Sequence, residues 1–307
     1  MSNFTITVPA TSANLGPGFD SVGIALTKYA TFRCAPSDEW RFIVPEADRP
    51  FIPEGKDNLI YQAAIFTAKE FGYDNLPTYE VTTSNDVPVS RGLGSSSTAV
   101  VAGIELANQL LGLELTEQDK VIVACKIEGH PDNVAPAICG GIVIAHYDHD
   151  TPKYVKLTNG VESLQWLTVV PDFHLKTEEA RDLLPRQFSY KEAVYASSTG
   201  NVLVAALALH DWKLAGEMME KDRFHQVYRS PLLPDFAPVS KALKTAGSVG
   251  TYVSGAGPTM IGLFEELEEK EIEELRSVFP HLYFESLRTD TKGVQVERCA
   301  QKEVSEA

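Results

Sequence analysis

The sequence predicts an α+β protein built from two lobes. Segments with the alternating apolar pattern of strands and segments with helical periodicity occur together in both halves of the 307 residues. A polar stretch near 148–160 separates the halves and is the best candidate for a domain boundary. We therefore expect one lobe over residues 1–155 and a second over residues 156–307, with a cleft between them.

Strands and helices alternate in the first half. Gly72 and Gly112 are placed to terminate two of the helices, and Thr116 followed by Asp119 indicates a variant capping box at the start of a third. The predicted helices cover 58–72, 95–111 and 116–128. The predicted strands lie in FTITV, KYATFRCAP, RFIVPE, YEVTTSNDVPV and GGIVIAHY.

The second half has the same mixture of elements. A strand is expected in QWLTVVPD, a glycine hairpin in TYVSGAGPTMIGLF and a last strand in LYFESL, followed by a polar tail. The predicted helices lie around 177–184, 190–219 and 237–246, with a further acidic helix in EELEEKEIEELRSVF. The acidic helix should bury a stripe made of Leu267, Ile272, Leu275 and Phe279.

The net charge, the cysteines and the apolar runs limit which partners and which cellular compartment can be expected. The formal net charge of −15 argues against a nucleic-acid partner, yet it leaves room for a small anion held by local positive potential. The four cysteines, at 34, 125, 139 and 299, form no C-x-x-C pair, which indicates a reducing compartment, the cytoplasm. The first basic residue is Lys28 and the apolar runs are short, so neither a signal peptide nor a membrane span is expected.

One loop between a predicted strand and a predicted helix has the composition of a binding site. Its sequence, at 87–100, is VPVSRGLGSSSTAV. Gly92 and Gly94 allow close backbone approach, hydroxyl side chains open the helix, and Arg91 adds a charge at the entrance. A helix N-terminus with free N–H groups favours a phosphate. The Walker pattern and G-x-G-x-x-G are both absent. A phosphate loop and an ordinary capping turn both remain open at this point.

Two further small-residue stretches favour a shared site. PATSANLGPGFDSVG at 9–23 carries Asp20, and SGAGPT at 254–259 forms a tight turn between apolar strands. The three stretches resemble the three motifs of the GHMP small-molecule kinases, with a specific match of 88–98 to P-x-S-x-G-L-G-S-S-S-T. EGHPDNVAPAICGG at 128–141 and FHQVYRSPLLP at 224–234 resemble the branch of that family whose acceptor is L-homoserine.

This resemblance covers nearly the whole chain and implies a fold and an activity. The fold would be the two-lobed GHMP kinase fold, with an N-terminal lobe like a ribosomal small-subunit protein domain and a ferredoxin-like C-terminal lobe. The activity would be phosphorylation of L-homoserine to O-phospho-L-homoserine by ATP and Mg²⁺, a step towards threonine. A homodimer is also implied.

The resemblance also implies sites for the nucleotide and the metal. Adenine would lie near Asn58 and Leu59, and magnesium would be held by Ser95 and Glu128. Glu128 stands in the last turn of its predicted helix, where the helix dipole disfavours a carboxylate unless a cation is near. The residues expected to wrap the phosphates are Pro88, Val89, Ser90, Arg91, Gly92, Leu93, Gly94, Ser95, Ser96, Ser97 and Thr98.

The acceptor substrate is a zwitterion with a terminal hydroxyl. Guanidinium groups pair well with a carboxylate, and Arg181 and Arg229 match positions expected to bind it. The other matching substrate positions are Asn14, Asp20, His130, Thr177 and Gly255. The candidate catalytic residues are Asn14, Asp20 and Asn133, with the base left open within the Asp132-Asn133 pair and Asp20 as the second choice.

Two other functions remain open from the sequence. One is a kinase of the same superfamily that acts on a sugar or an isoprenoid alcohol, although a neutral sugar offers the two arginines no carboxylate. The other is a non-catalytic sensor of an amino acid or a nucleotide on the same scaffold. The intact serine loop and Glu128 argue against loss of the active site.

Overall fold

A computed structural model of the chain describes residues 2–175 and 177–298. The first lobe is built on a seven-stranded sheet in which β11, β1, β2, β4 and β3 follow one another, and β5 and β6 extend from the start of β2. The strands are β1 (Phe4–Ala13), β2 (Val22–Pro36), β3 (Arg41–Ile43), β4 (Tyr79–Asn85), β5 (Ile142–His146), β6 (Lys153–Leu157) and, near the C-terminus, β11 (Gln295–Arg298).

Four helices cover this sheet, and the central one is almost wholly buried. They are α1 (Leu59–Glu70), α2 (Ser95–Leu111), α3 (Glu117–Glu128) and α4 (Val134–Cys139). Helix α2 packs against α1, α3 and α4, and it buries the side chains Val100, Ile104 and Ala107. The N-terminus of α2 is therefore held rigidly by its neighbours, which matters because the glycine-serine loop leads directly into it.

The second lobe is built on a four-stranded antiparallel sheet in the order β10, β7, β9, β8. Its strands are β7 (Gln165–Pro171), β8 (Gly250–Val253), β9 (Met260–Phe264) and β10 (Leu282–Leu287). Its helices are α5 (Thr177–Asp182), α6 (Tyr190–Ala208), α7 (Trp212–Met219), α8 (Gln226–Arg229), α9 (Phe236–Thr245) and α10 (Glu269–Val278). Helices follow β7 and β9, which is the strand and helix order of a β-α-β-β-α-β motif.

Several elements predicted from capping residues and apolar periodicity are confirmed. Helix α2 covers the predicted 95–111 and ends at Gly112, whose φ of 61° is left-handed. In the predicted capping box of α3, the Asp119 amide donates to Thr116 Oγ1 and the Thr116 amide donates to an Asp119 carboxylate oxygen. The stripe of α10 is confirmed, with Ile272, Leu275 and Phe279 buried and Leu267 packed against the same cluster. The mixed α+β class is likewise confirmed.

Other elements differ from the sequence predictions. The predicted helix 190–219 is two helices, because the chain turns at His210 and the Asp211 side chain caps α7 by accepting from the Leu214 amide. The short helices α4 and α8 were missed, because they contain too few turns to show a periodicity. Strand β11 was also missed, since its place is set by pairing with β1 at the other end of the chain.

The lobe boundary at residue 155 stays a prediction. Strand β6 continues to Leu157, and β11 returns the C-terminal part of the chain to the first sheet. The likeness of the first lobe to a ribosomal protein domain also stays a prediction. Within the described ranges, Cys34, Cys125 and Cys139 are buried free thiols, and no helix has both the length and the apolarity needed to span a bilayer.

Candidate active site

A cleft of about 500 Å³ lies where the three small-residue stretches meet. Residues from both lobes line it, and most of the predicted site residues are among them. These are Asn14, Asp20, Asn58, Leu59, Val89, Ser90, Arg91, Gly92, Gly94, Ser95, Ser96, Ser97, Thr98, Glu128, His130, Asn133, Arg181, Arg229 and Gly255. Pro88 and Leu93 are not, because Leu93 is buried in the core and Pro88 faces a separate surface hollow.

Buried hydroxyl groups join the three stretches directly. The Ser254 hydroxyl donates to the Gly92 carbonyl at 2.6 Å and lies 2.7 Å from Ser12 Oγ. Ser12 Oγ in turn lies 3.0 Å from the hydroxyl of Tyr252, which is fully buried. The Thr11 amide also donates to the Leu93 carbonyl. The first, second and third stretches are therefore one hydrogen-bonded unit.

Glycine is required at two points of this unit. Gly94 precedes α2 with a φ of 72°, and a Cβ there would lie 2.0 Å from Thr11 Oγ1. Gly92 has a φ of 80°, and its Cβ would lie 2.6 Å from the Ser254 carbonyl oxygen. Among the residues that the structure describes, no side chain caps α2, so the amides of its first turn have no side-chain partner there where they line the cleft. Such a terminus attracts an anion.

Arg91 is engaged elsewhere. Its guanidinium donates to the Pro171 carbonyl and pairs with Asp172 at 3.0 Å, at the end of β7. This ties the loop to the second lobe and draws the charge away from the α2 N-terminus. Sequence alone did not reveal the partner, since Asp172 is 81 positions away.

The predicted adenine end of the cleft contains more than Asn58 and Leu59. Asn58 caps α1 through the Ile60 amide and also donates to the Pro53 carbonyl, so both ends of its side chain are occupied. The lining residues of the cleft that the sequence did not predict include Phe32, Phe51, Ile52, Pro53, Thr83 and Asn85. The apolar run at 51–53, which interrupts an otherwise polar connection, was the feature of the sequence that could have indicated an apolar wall of the cleft.

Glu128 meets the serine loop through Ser96. The Ser96 hydroxyl donates to Glu128 Oε1 at 3.1 Å, and Ser95, predicted to share a magnesium ion with Glu128, lines the same cleft. Burial raises the pKa of the Glu128 carboxyl, against the opposing charge of His130 and the Ser96 hydrogen bond. A carboxylate beside a hydroxyl offers the oxygen ligands that a hard divalent cation prefers, and a cation would offset the burial of the charge.

Asn14 and Asp20 form a second group opposite the loop. Asn14 accepts from the Asp20 amide at 3.1 Å and donates to the Gly255 carbonyl at 3.3 Å. Asp20 Oδ1 accepts from Arg181 at 2.9 Å. Asn14 and Asp20 have left-handed φ values of 76° and 52°, which cost energy in residues with a Cβ. The hydrogen bonds hold both side chains in the cleft despite that cost.

His130 and Asp132 complete this group. The His130 ring lies 2.6 Å from Asp132, and the ligand atoms of Asp20, His130 and Asp132 lie within 4.8 Å of one another. Burial by itself would lower the pKa of His130, but Asp132 and the nearby carboxylates raise it to about 9. Burial and Asp132 raise the pKa of Asp20, against Arg181. His130 is therefore a cation at neutral pH and offers no base.

The neighbouring Asn133 accepts from the Thr11 hydroxyl at 2.9 Å and also lines the cleft. The sequence leaves open which member of the Asp132-Asn133 pair faces the site, and in the structure both line the cleft. Thr177 begins α5, but its side chain lies outside the described part of the structure.

Arg229 is the buried cation of the cleft, with 2% of its surface exposed. Its Nη1 donates to the Gly255 carbonyl at 2.7 Å and its Nε donates to the Ala180 carbonyl at 3.3 Å. Burial and then the charge of Arg181 lower the pKa of Arg229 to about 10, so it keeps its charge at neutral pH. Two guanidinium groups on one side of the cleft suit an anionic substrate group.

Comparison with known proteins identifies relatives of the whole chain. Residues 58–141 match the GHMP kinases N terminal domain and residues 203–281 match the GHMP kinases C terminal domain. The homoserine kinase of Bacillus pumilus is 45% identical over 295 residues, which cover 96% of this chain and 94% of the relative.

Solved structures show the same relationship. The crystal structure of homoserine kinase from Cytophaga hutchinsonii superposes with a TM-score of 0.84 at 28% identity, covering 97% of this chain and 98% of that one. A mevalonate kinase structure superposes with a TM-score of 0.71 at 16% identity, covering 94% and 99% of the two chains, a likeness of fold alone.

The two glycines that flank α2 allow a matched test of the loop geometry. Both have left-handed φ values, but a Cβ at Gly112 would meet nothing within 4 Å. Gly112→Ala should lower the free energy of unfolding by about 1 kcal/mol through strain. Gly94→Ala should lower it by about 3 kcal/mol, because overpacking adds to the same strain. Urea denaturation measures both values, and equal losses would show that Thr11 moves aside without cost.

Proposed function

Because this chain belongs to the GHMP kinase family, and within that family to the homoserine kinases, we propose that it phosphorylates L-homoserine with ATP to give ADP and O-phospho-L-homoserine. The product would be a precursor of threonine. The observation that carries the proposal is the joining of two recognition sites in one cleft. The uncapped N-terminus of α2 suits phosphates, and the buried Arg229 beside Asp20 suits a zwitterion.

The nucleotide is proposed to lie along the glycine-serine loop. Amides of the loop and of the first turn of α2 would hold the phosphates, supported by the helix dipole. The base would lie near Leu59, Phe51 and Ile52, whose apolar side chains line the cleft. The polar side-chain atoms of Asn58 already bond to Pro53 and Ile60, so Asn58 would contribute by fixing the start of α1 beside the base.

A magnesium ion fits the pair formed by Glu128 and a serine of the loop. The Ser96 hydroxyl is the one that contacts Glu128, and Ser95 lies one position before it in the same first turn. When bound, the ion would neutralise part of the phosphate charge that develops during transfer. The raised pKa of the Glu128 carboxyl supports a role for a cation, because His130 and the Ser96 hydrogen bond only partly compensate the burial of that carboxylate.

The acceptor is proposed to lie between the two lobes. Arg181 and Arg229 would bind its carboxylate, and Asp20 with Asn14 would receive its ammonium group. In the described structure Arg181 pairs with Asp20. The carboxylate of a bound substrate would pair with Arg181, and its ammonium group would pair with Asp20. Gly255 lines this pocket, and Thr177, which the sequence predicts to bind the acceptor, would complete it.

Phosphoryl transfer requires the terminal hydroxyl oxygen to bond to the γ-phosphorus while the bond to the β,γ-bridging oxygen breaks. The hydroxyl proton needs an acceptor, and His130 is already protonated at neutral pH. The carboxylates of Asp20 and Asp132 are the nearby groups that could receive it, with Asn14 and Asn133 orienting the hydroxyl. Positioning and charge stabilisation would supply most of the rate.

Free buried thiols at Cys34, Cys125 and Cys139 support a cytoplasmic location for this reaction.

The substrate assignment is tested by ADP release with homoserine, serine, threonine, mevalonate and galactose, each with Mg-ATP. We expect turnover with homoserine and much less with the others. Galactose or mevalonate turnover without homoserine turnover would instead assign another kinase of the superfamily, and ligand binding without any turnover would indicate a sensor.

Arg181→Ala should raise the KM for homoserine roughly tenfold or more, since a charged hydrogen bond is lost, with the KM for ATP unchanged.

The metal assignment is tested at Glu128. Glu128→Gln keeps the size of the side chain and removes its charge, so half-saturation should need roughly tenfold more Mg²⁺, the effect of losing one charged contact. Titration of turnover with MgCl₂ at fixed ATP measures the shift. Glu70→Gln, which removes an exposed ion pair with Lys126 near the end of the same helix but outside the lining of the cleft, is the control. An unchanged Mg²⁺ requirement in Glu128→Gln would remove this residue from the metal site.

We also propose a homodimer in which α6 packs on its copy. Helix α6 exposes Tyr190, Val194 and Val202, and no acidic or basic residue occurs over 193–209 in a chain of net charge −15. A charge-free face can meet its own copy without repulsion. Sedimentation velocity should give about twice the 33.6 kDa of one chain. Val202→Glu should shift the mass to the monomer, whereas Val278→Glu on exposed α10 should not.

A further inference from the structure

A fully buried histidine stands behind the acceptor side of the cleft and takes no part in the chemistry proposed above. His225 has no exposed surface and precedes α8, the short helix that carries Arg229. Its ring touches both lobes: Nδ1 lies 3.1 Å from Nη1 of Arg229, and Nε2 lies 3.0 Å from the carbonyl oxygen of Gly16.

These two contacts determine the tautomer. A guanidinium group only donates, so Nδ1 must present a lone pair to Arg229. A carbonyl oxygen only accepts, so Nε2 must carry the hydrogen towards Gly16. Burial, with the charge of Arg229 acting in the same direction against that of Asp222, lowers the pKa of His225 to about 4. The ring is therefore neutral at physiological pH and makes both hydrogen bonds at once.

The contact with His225 completes the set of protein partners that orient Arg229. Nη1 uses its two hydrogens on the Gly255 carbonyl and on His225, and Nε uses its hydrogen on the Ala180 carbonyl. Among the described residues, no hydrogen bond is made by Nη2 of Arg229, whose side chain lines the cleft. The protein thus holds one edge of the guanidinium and leaves Nη2 for a ligand.

The contact with Gly16 fixes the other wall of the acceptor pocket. Gly16 lies in the first small-residue stretch, between Asn14 and Asp20. Phe19 of this stretch stacks on the His225 ring with centroids 5.5 Å apart, and its own centroid lies 5.6 Å from Cζ of Arg229. One imidazole therefore sets the distance between the loop bearing Asp20 and the arginine facing it.

The histidine itself is held from behind by Asp222. The two carboxylate oxygens accept from the amides of Phe224, His225 and Gln226, at 2.8, 3.0 and 2.7 Å respectively. Three amide partners satisfy this buried carboxylate and leave the imidazole little freedom to shift. Asp222, Gly16 and Arg229 together hold the His225 ring in one orientation.

We propose that His225 is a positioning residue, which presents Arg229 to the carboxylate of the acceptor substrate while it anchors the loop of Asn14 and Asp20. This inference rests on the proposed function. It assigns His225 an effect on substrate affinity through Arg229, with no contact between His225 and the reacting atoms.

Two variants separate the two hydrogen bonds. The amide oxygen of asparagine reaches the position of Nδ1, and the amide nitrogen of glutamine reaches the position of Nε2. His225→Asn should keep the acceptor for Arg229 and lose only the neutral hydrogen bond to Gly16, so the KM for homoserine should rise by no more than about threefold. His225→Gln should lose that acceptor and raise the KM roughly tenfold, with kcat and the KM for ATP little changed.

A substrate without a carboxylate supplies the decisive readout. 3-Aminopropan-1-ol is homoserine with the carboxylate replaced by hydrogen, so its kcat/KM should be low and equal in the wild type and His225→Gln. A fall of kcat/KM by the same factor for both substrates, equal damage by the two variants, or an unfolded state of both at 25 °C by circular dichroism would overturn the inference. The wild type is assayed first, because absence of homoserine turnover there contradicts the proposed function itself.

Discussion

The buried hydroxyl chain from Tyr252 through Ser12 and Ser254 to the Gly92 carbonyl is the interaction on which the site depends. It joins three segments that lie far apart in the sequence and belong to both sheets. These groups are shielded from water, so a missing partner would leave a costly unsatisfied hydroxyl or carbonyl. The three small-residue loops consequently keep one relative position, and the cleft between them has a defined shape.

The charges of the cleft show how an acidic protein can hold an anionic substrate. The chain has a net charge of −15, yet Arg181, Arg229 and protonated His130 lie on one side of the cleft. Each is paired or hydrogen-bonded, and the nearby acids Asp20 and Asp132 oppose the effect of burial on the pKa values of His130 and Arg229. The local field therefore differs in sign from the field of the whole molecule.

Local chemistry explains which elements were predictable. Helix α2 lies between two left-handed glycines and has a clear apolar face, so its bounds follow from neighbouring residues alone. The break between α6 and α7 was missed because the apolar pattern continues through it, while the Asp211 cap depends on three residues only. Strand β11 depends on a partner almost the whole chain away, and no local pattern reports such a pairing.

The amino-acid sequence was sufficient to predict the three loops, the glycines at 92 and 94, and most of the candidate residues that line one cleft. These features depend on backbone conformation and motif spacing, which local sequence patterns contain. The tertiary structure alone decided which side chain meets which. Glu128 accepts a hydrogen bond from Ser96, Arg91 pairs with Asp172, and His225 accepts from Arg229. The direction of a side chain is set by helix rotation and by packing against distant segments, and a linear pattern contains neither.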